Sequence, residues 1–224
     1  NRLRIVGDNE ENYRLDFVTT PGSVITNLDT ALTPDGTVVA AAYTNNFHNA
    51  AITTLYNIDS ASDMLVLQGG IDGSPSPNLG AITNVGLLGV DTTAEVGFDI
   101  DSVTGRALAS LTLPGRTTSR LYSINLANGA ASFIGSLEGV GTVTRDIALV
   151  PSSPALAFGT TFNTTTMVNQ LVSFVPSTTG VATVASLGNV TGLQTGESIV
   201  GIDFRPANGF LYALGSTNRV YTLN

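Results

Sequence analysis

The feature that most constrains this chain is a strand–turn–strand motif that returns along its length. Leu121–Gly135, LYSINLANGAASFIG, alternates apolar and polar residues, turns at Asn128-Gly129 and alternates again. Period-two alternation broken by Asn-Gly is a β-hairpin signal. Related stretches are Tyr13–Asn27 (YRLDFVTTPGSVITN), Leu55–Gly69 (LYNIDSASDMLVLQG), Leu171–Gly188 (LVSFVPSTTGVATVASLG) and Val220–Asn224 (VYTLN). Their equivalent positions are Tyr13, Tyr56, Tyr122, Val172 and Tyr221, separated by 43, 66, 50 and 49 residues.

A second motif lies upstream of three copies: GFDIDSVTGRALASL from Gly97, DIALVPSSPALAFGT from Asp146 and GIDFRPANGFLYAL from Gly201. Together the two motifs spell strand, turn, strand, loop, strand, turn, strand. A four-stranded unit of about 40 to 50 residues is the mark of a β-propeller blade. No long stretch carries the helical spacing of apolar residues. The expected fold is therefore all-β: a β-propeller, or propeller-like array, of four-stranded antiparallel blades. It forms one domain over 1–224, with about five units near 1–30, 31–80, 90–140, 141–192 and 197–224. A β-sandwich of unrelated hairpins is the competing architecture. Before Tyr56 the second unit shows one clear strand, GTVVAAAYTNN, and is expected to fall short of a strand.

Arg2–Phe17 resembles Phe210–Asn224. The terminal units are thus expected to be incomplete, the first starting after its first strand and the last stopping before its last. Unpaired edges invite strand addition from another chain. This makes Arg2, Leu3, Arg4, Ile5 and Val6, and Val220, Tyr221, Thr222, Leu223 and Asn224, the interface candidates. The expected partner is the chain itself, as an oligomer or polymer. The first residue is Asn and not Met, which suggests a processed form or a piece of something longer.

Composition narrows the function. Hydrophobic residues make up 42% and charged residues only 12%, the reverse of a disordered chain. The net charge is -8, and the nine basic residues are scattered arginines. No clustered footprint for nucleic acid exists, nor one for anionic lipid. No apolar run nears the roughly 18 residues of a membrane span. With no cysteine, thiolate nucleophiles, disulfides and Cys-ligated zinc drop out.

No catalytic residue or cofactor is expected. His48 in NNFHNA is the single histidine, no G-x-S-x-G elbow accompanies it, and its neighbours suggest a loop. Asp99 and Asp101 in DIDSVTG have the alternating carboxylates of a calcium loop but lack its later ligands. DFRPANG, from Asp203, keeps the same Asp-to-Gly spacing with one Asp, which favours a strand-joining turn. Asp8 and Glu10 in VGDNEEN are further weak calcium candidates. Seventeen acidic residues guarantee some carboxylate pair, so a glycosidase reading has no power here. Asn163-Thr164-Thr165 and Asn189-Val190-Thr191 match the glycosylation sequon by composition. Tyr43, Tyr56, Tyr122, Tyr212 and Tyr221 read as blade packing before sugar stacking.

GIDFRPANGFLYALGSTNRVYTLN, AAAYTNN (Ala40–Asn46) and SRLYSINLANGAASFIG resemble signatures of a bacterial family, domain of unknown function 4394. The resemblance covers most of the chain. It implies a propeller-like fold in secreted or surface proteins, and no assigned activity. In that family the GIDFRP-like stretch looks like a domain opening that the RLRIV-like stretch follows; here the order is reversed. The expected function is a non-enzymatic extracellular structural protein, a self-assembling subunit of a surface fibre or layer completed by neighbouring strands. The alternatives are a propeller that binds a glycan or small ligand and, behind it, a carboxylate-based polysaccharide-active enzyme.

Overall fold

A computed structural model describes residues 3–17, 24–47, 50–138, 143–150, 156–175 and 182–224. The interface candidate Arg2 and the lone His48 lie outside them. The described chain forms five sheets in sequence order. Sheet 1 holds β1 (Leu3–Val6), β2 (Asn12–Phe17) and β3 (Val24–Leu28). Sheet 2 holds β4 (Val38–Tyr43), β5 (Leu55–Asp59), β6 (Met64–Gln68) and β7 (Ile82–Leu87). Sheet 3 holds β8 (Val96–Ile100), β9 (Ala107–Leu111), β10 (Arg120–Ile124) and β11 (Ala131–Glu138). Sheet 4 holds β12 (Thr144–Leu149), β13 (Ala157–Asn163), β14 (Val168–Phe174) and, after the short β15 (Ala182–Thr183), β16 (Ala185–Asn189). Sheet 5 holds β17 (Ile199–Phe204), β18 (Leu211–Gly215) and β19 (Val220–Leu223). Within each sheet successive strands pair antiparallel, while β15 adds to the edge of β11 in parallel. The fold is a five-bladed β-propeller with three-stranded sheets at either end of the chain.

The same turn joins strands three times, twice in sheet 3 and once in sheet 5. In Asp101–Gly105, Asn125–Gly129 and Arg205–Gly209 the glycine N–H bonds the first residue's carbonyl at 2.8 Å. The three glycines sit at φ 70°, 82° and 70°, a conformation that costs glycine nothing. LYSINLANGAASFIG is indeed the outer pair of its blade, β10 with β11. The second sheet corrects the expectation of a missing strand. Its fourth strand, Ile82–Leu87, follows a Pro- and Gly-rich loop and alternates too poorly to stand out. Tyr56 is also out of register: it lies on the second strand of its sheet, whereas Tyr122, Val172 and Tyr221 lie on third strands.

Successive sheets pack face to face through apolar clusters. Ile58, Leu65, Phe98, Ile100 and Leu111 join sheets 2 and 3. Leu121, Ile147 and Val172 join sheets 3 and 4. Ala148, Ile199, Ile202 and Leu211 join sheets 4 and 5. Burying each large aliphatic chain contributes about 2 kcal/mol. Between sheets 1 and 2 the contact is instead polar.

The inner strands β4, β8, β12 and β17 contact one another broadly around the axis. Strand β1 touches β4 only marginally, as the second strands β9 and β13 touch β12 and β17. It therefore occupies a second-strand position, as the likeness of Arg2–Phe17 to Phe210–Asn224 (β18 and β19) implies. On this register Tyr13 in β2 takes the third-strand place of Tyr221. Inner strands approach so closely that Gly97 has no room for a side chain. A Cβ there would sit 2.5 Å from Ile147 N and 2.6 Å from Asp146 Cα. Gly97→Ala is expected to destabilise the fold by about 2 kcal/mol through backbone displacement, read as a lower urea midpoint at unchanged slope.

Candidate functional site

A cavity of about 860 Å³ opens between β1, β4, β8, β12 and β17 and reaches Arg14 and Asp16 on β2 and Tyr212 on β18. Three aspartates face it from consecutive inner strands: Asp99 on β8, Asp146 on β12 and Asp203 on β17. Asp99 and Asp203 hold the same register, opposite Leu108 and Tyr212, whereas Asp146, opposite Thr160, stands two residues earlier, in the place of Gly97 and Gly201.

Two of the three reach across to the next sheet. Asp99 Oδ2 accepts the Leu149 N–H at 2.5 Å, and Asp99 Oδ1 accepts the Ile100 N–H at 2.7 Å. Asp146 Oδ2 accepts the Ile202 N–H at 2.7 Å, and Asp146 Oδ1 accepts the Ile147 N–H at 2.8 Å. Asp203 accepts from Phe204 N–H, but among the described residues no amide of another sheet reaches it. Burial raises all three pKa values, and the carboxylates raise one another's. Asp146 is pushed up to about 8, and Asp203 to about 7. Asp99 stands well above its ordinary range through burial and the charge of Asp203.

The opposite wall is a polar knot that fastens sheet 1 to sheet 2. Arg4 Nε donates to Tyr43 Oη at 2.8 Å, and its other nitrogens donate to Asn12, to Asp29 at 3.1 Å and to Asn78 at 2.5 Å. Arg14 grips the same Asp29 with two bonds of 2.6 and 2.7 Å. Burial alone would raise Asp29, but the bonds from Arg14 and the charge of Arg4 hold it below the usual carboxylate range. Gln68 and Asn57 extend the network inward, with Asn57 Nδ2 donating to Gln68 Oε1 at 2.8 Å.

A third cluster holds sheet 5. Glu197 accepts from the Thr217 hydroxyl, from Tyr221 Oη at 2.5 Å and from Gln194 N–H at 3.1 Å. The Thr217 and Tyr221 hydroxyls lower its pKa to about 2.

The interface candidates separate. Leu3, Arg4, Ile5 and Val6 line the cavity and do not form an outward edge, because β1 pairs with β2 on its other side. Val220–Leu223 is the outermost described strand of sheet 5 and, among the described residues, pairs with β18. The calcium candidates do not converge. Asp101 Oδ1 accepts from Val103 N–H at 2.8 Å and Asp101 Oδ2 from Thr104 Oγ1 at 2.8 Å, which closes its own turn. Asp8 is exposed beside Glu10 in the β1–β2 turn, away from Asp99. Among the described residues no three His, Cys, Asp or Glu side chains gather to hold a metal ion. Asn163 caps a turn, its Oδ1 accepting from Thr165 and Thr166 N–H at 2.9 Å each. Sequence reasoning missed Asp146 as a partner of Asp99 and Asp203, because it stands where the other copies of the second motif have Gly97 and Gly201. It also missed Asp29 and Asn78, whose roles depend on loops folding back onto Arg4.

The pH dependence follows from these groups. Asp99, Asp146 and Asp203 have raised folded pKa values, so their contribution is full below the unfolded carboxylate range near pH 4. It is lost as pH rises through about 7 for Asp203 and about 8 for Asp146. Glu197, lowered to about 2, contributes above the unfolded range, and that contribution is lost as pH falls toward 2. The melting temperature is expected to rise as pH drops from 9 to 5 and to fall again below 4. In Asp146→Asn, thermal melts across pH should show a flatter alkaline limb.

Three solved structures are similar to the chain, and the first two show the same fold. The PQQ-bound aldose sugar dehydrogenase of Streptomyces coelicolor is 13% identical with a TM-score of 0.58, over 99% of this chain and 73% of that one. Kuenenia stuttgartiensis hydrazine synthase is 11% identical with a TM-score of 0.50, over 95% of this chain and 54% of that one. The Dos1 propeller is 11% identical with a TM-score of 0.45, over 100% of this chain and 53% of that one. The chain thus spans about half the length of two of these propellers. No curated protein matches it. The family model described as "Domain of unknown function (DUF4394)" matches residues 1–148 and 170–224. With its propeller blades and its repeated G-x-D strands both accounted for, the chain belongs to the DUF4394 family.

Proposed function

We propose that this chain is a non-catalytic structural unit of the cell exterior that associates with copies of itself by strand completion. One observation carries the reading. Sheets 1 and 5 have three strands where sheets 2 and 4 have four, which leaves the inner edge of β1 and the outer edge of β19 without a partner among the described residues. Unpaired strand edges are templates for pairing. The exterior location rests on the family resemblance. Propellers named as enzymes share the fold, which weighs only weakly against a non-catalytic role at 11 to 13% identity.

The cavity favours a second reading, a bound glycan or small polar ligand. Its volume of about 860 Å³ lies within the ordinary span of ligand sites. Phe47, 50% exposed, borders it beside Asn45 and Asn46, as an aromatic platform for a sugar face would.

Sedimentation velocity and negative-stain microscopy over a concentration series test the first reading. Concentration-dependent oligomers or filaments are expected, and the exposed edge variant Thr222→Lys should weaken them about tenfold. Monomers throughout would sink the association. Calorimetric binding of neutral oligosaccharides, lost in Phe47→Ala, would establish the second reading instead.

A further inference from the structure

We propose that two patches on this chain are the halves of one contact: the Arg120–Phe133 pair on sheet 3 receives the Ile71–Asp72 knuckle beside sheet 2 of a second copy. The proposal rests on the association reading above and names a contact for it that involves no terminal strand.

The receiving half is built on β10 and β11. The Arg120 guanidinium carbon lies 5.2 Å from the Phe133 ring centroid, and Tyr122 meets the same ring edge-on at 5.7 Å. Tyr122 is buried, whereas Phe133 is 56% exposed. Pairing jumps from Gly135 opposite Leu121 to Phe133 opposite Tyr122, a bulge at Ile134. Bulges twist a strand locally and re-aim its side chains. Among the described residues no carboxylate pairs with Arg120, whereas Asp29 pairs with Arg4 and Arg14, and Glu95 with Arg145. Arg120 Nε is shielded from solvent and has no acceptor among the described residues. An oriented, unpaired guanidinium on an exposed ring suits a carboxylate that stands next to an apolar group.

The other half is in the loop between β6 and β7. Among the described residues, the exposed large apolar side chains that adjoin a carboxylate in sequence are Leu28 and Ile71. Asp29, beside Leu28, is held by Arg4 and Arg14. Asp72, beside Ile71, is exposed, and no described residue donates to its carboxylate. Ile71 itself is 58% exposed. The backbone beneath them is pinned. Asp72 N–H donates to Thr54 Oγ1 at 2.9 Å, Gly70 N–H to Pro75 O at 2.8 Å and Ser74 N–H to Ile71 O at 3.2 Å. A pinned loop loses little conformational freedom on docking.

Charge complementarity commits the occupant. The guanidinium meets the carboxylate and Phe133 meets Ile71, the Arg-and-aromatic combination that concentrates interface energy. Each copy carries the two halves at different places, so the contact is head-to-tail and builds rings or rows, not a two-fold pair. One such contact is small, and it shows as concentration rises.

Sedimentation velocity over a concentration series tests the contact with Arg120→Glu and Asp72→Arg. Each variant alone sets like charges against each other and is expected to weaken association about tenfold or more. Mixing the two variants restores association, because each then presents the charge that the other lacks. Restoration also shows that both fold. Wild-type association should weaken in about 0.5 M sodium chloride, which screens exposed charges. Unchanged association in both single variants overturns the proposal, as does a failure to regain it on mixing when both melt as the wild type does. If Thr222→Lys then abolishes association, the strand edges carry it and the association reading stands. Loss in both single variants, recovery on mixing and no effect of Thr222→Lys would keep this contact and remove the strand edges. A wild type that stays monomeric but binds polygalacturonate, with binding lost in Arg120→Glu, overturns the second copy as occupant in favour of an acidic glycan.

Discussion

The structure depends on how closely its inner strands stand to one another. Gly97 against Asp146 and Ile147 sets a backbone separation that admits no Cβ. At that distance the next sheet's amides come within reach of an aspartate, and the Asp99–Leu149 and Asp146–Ile202 bonds close the gap. On β8 Gly97 makes room and Asp99, two residues later, uses it to reach the Leu149 N–H. The cost is three carboxylates confined near one cavity, each desolvated and each raising its neighbours.

The blades are joined by two different physical means. Sheets 2 to 5 are held by aliphatic and aromatic burial, with Ile58, Leu65, Leu121, Ile147 and Ile199 fully enclosed. Sheet 1 is held to sheet 2 by Arg4, Arg14, Asp29, Asn12 and Asn78. A buried charge is tolerable only when its donors find partners, and Arg4 spends its guanidinium on four groups from four separate stretches. The first sheet is thus directional in its attachment where the others are not.

Much of the fold was legible because strands and turns are local. Period-two alternation and Asn-Gly or Asp-to-Gly spacings located the hairpins at Leu121–Gly135 and the turns after Asp101 and Arg205. The register of Tyr56 was not legible. The words LYNID and LYSIN are nearly the same, yet one is a second strand and the other a third, because strand position depends on what pairs on either side. Ile82–Leu87 escaped notice for a related reason: its burial comes from the sheet it joins and not from its own alternation. The site was less legible still. Asp99 and Asp203 stood out as acids, but that Asp146 completes a directional ladder depends on which sheet faces which.

The sequence by itself determined an all-β repeat fold and its hairpin turns, because each follows from neighbours a few residues apart and from likeness between copies. Only the tertiary structure decided that β1 stands in a second-strand position beside a cavity, that Arg4 is a buried tie and not an exposed edge residue, and that Asp203 is left facing the space its counterparts bridge. Those facts rest on contacts between residues dozens to nearly 200 positions apart, as Arg4 with Asn78 or β1 and β17 around one cavity. Closure of a ring brings such residues together, and no local pattern records where it does so.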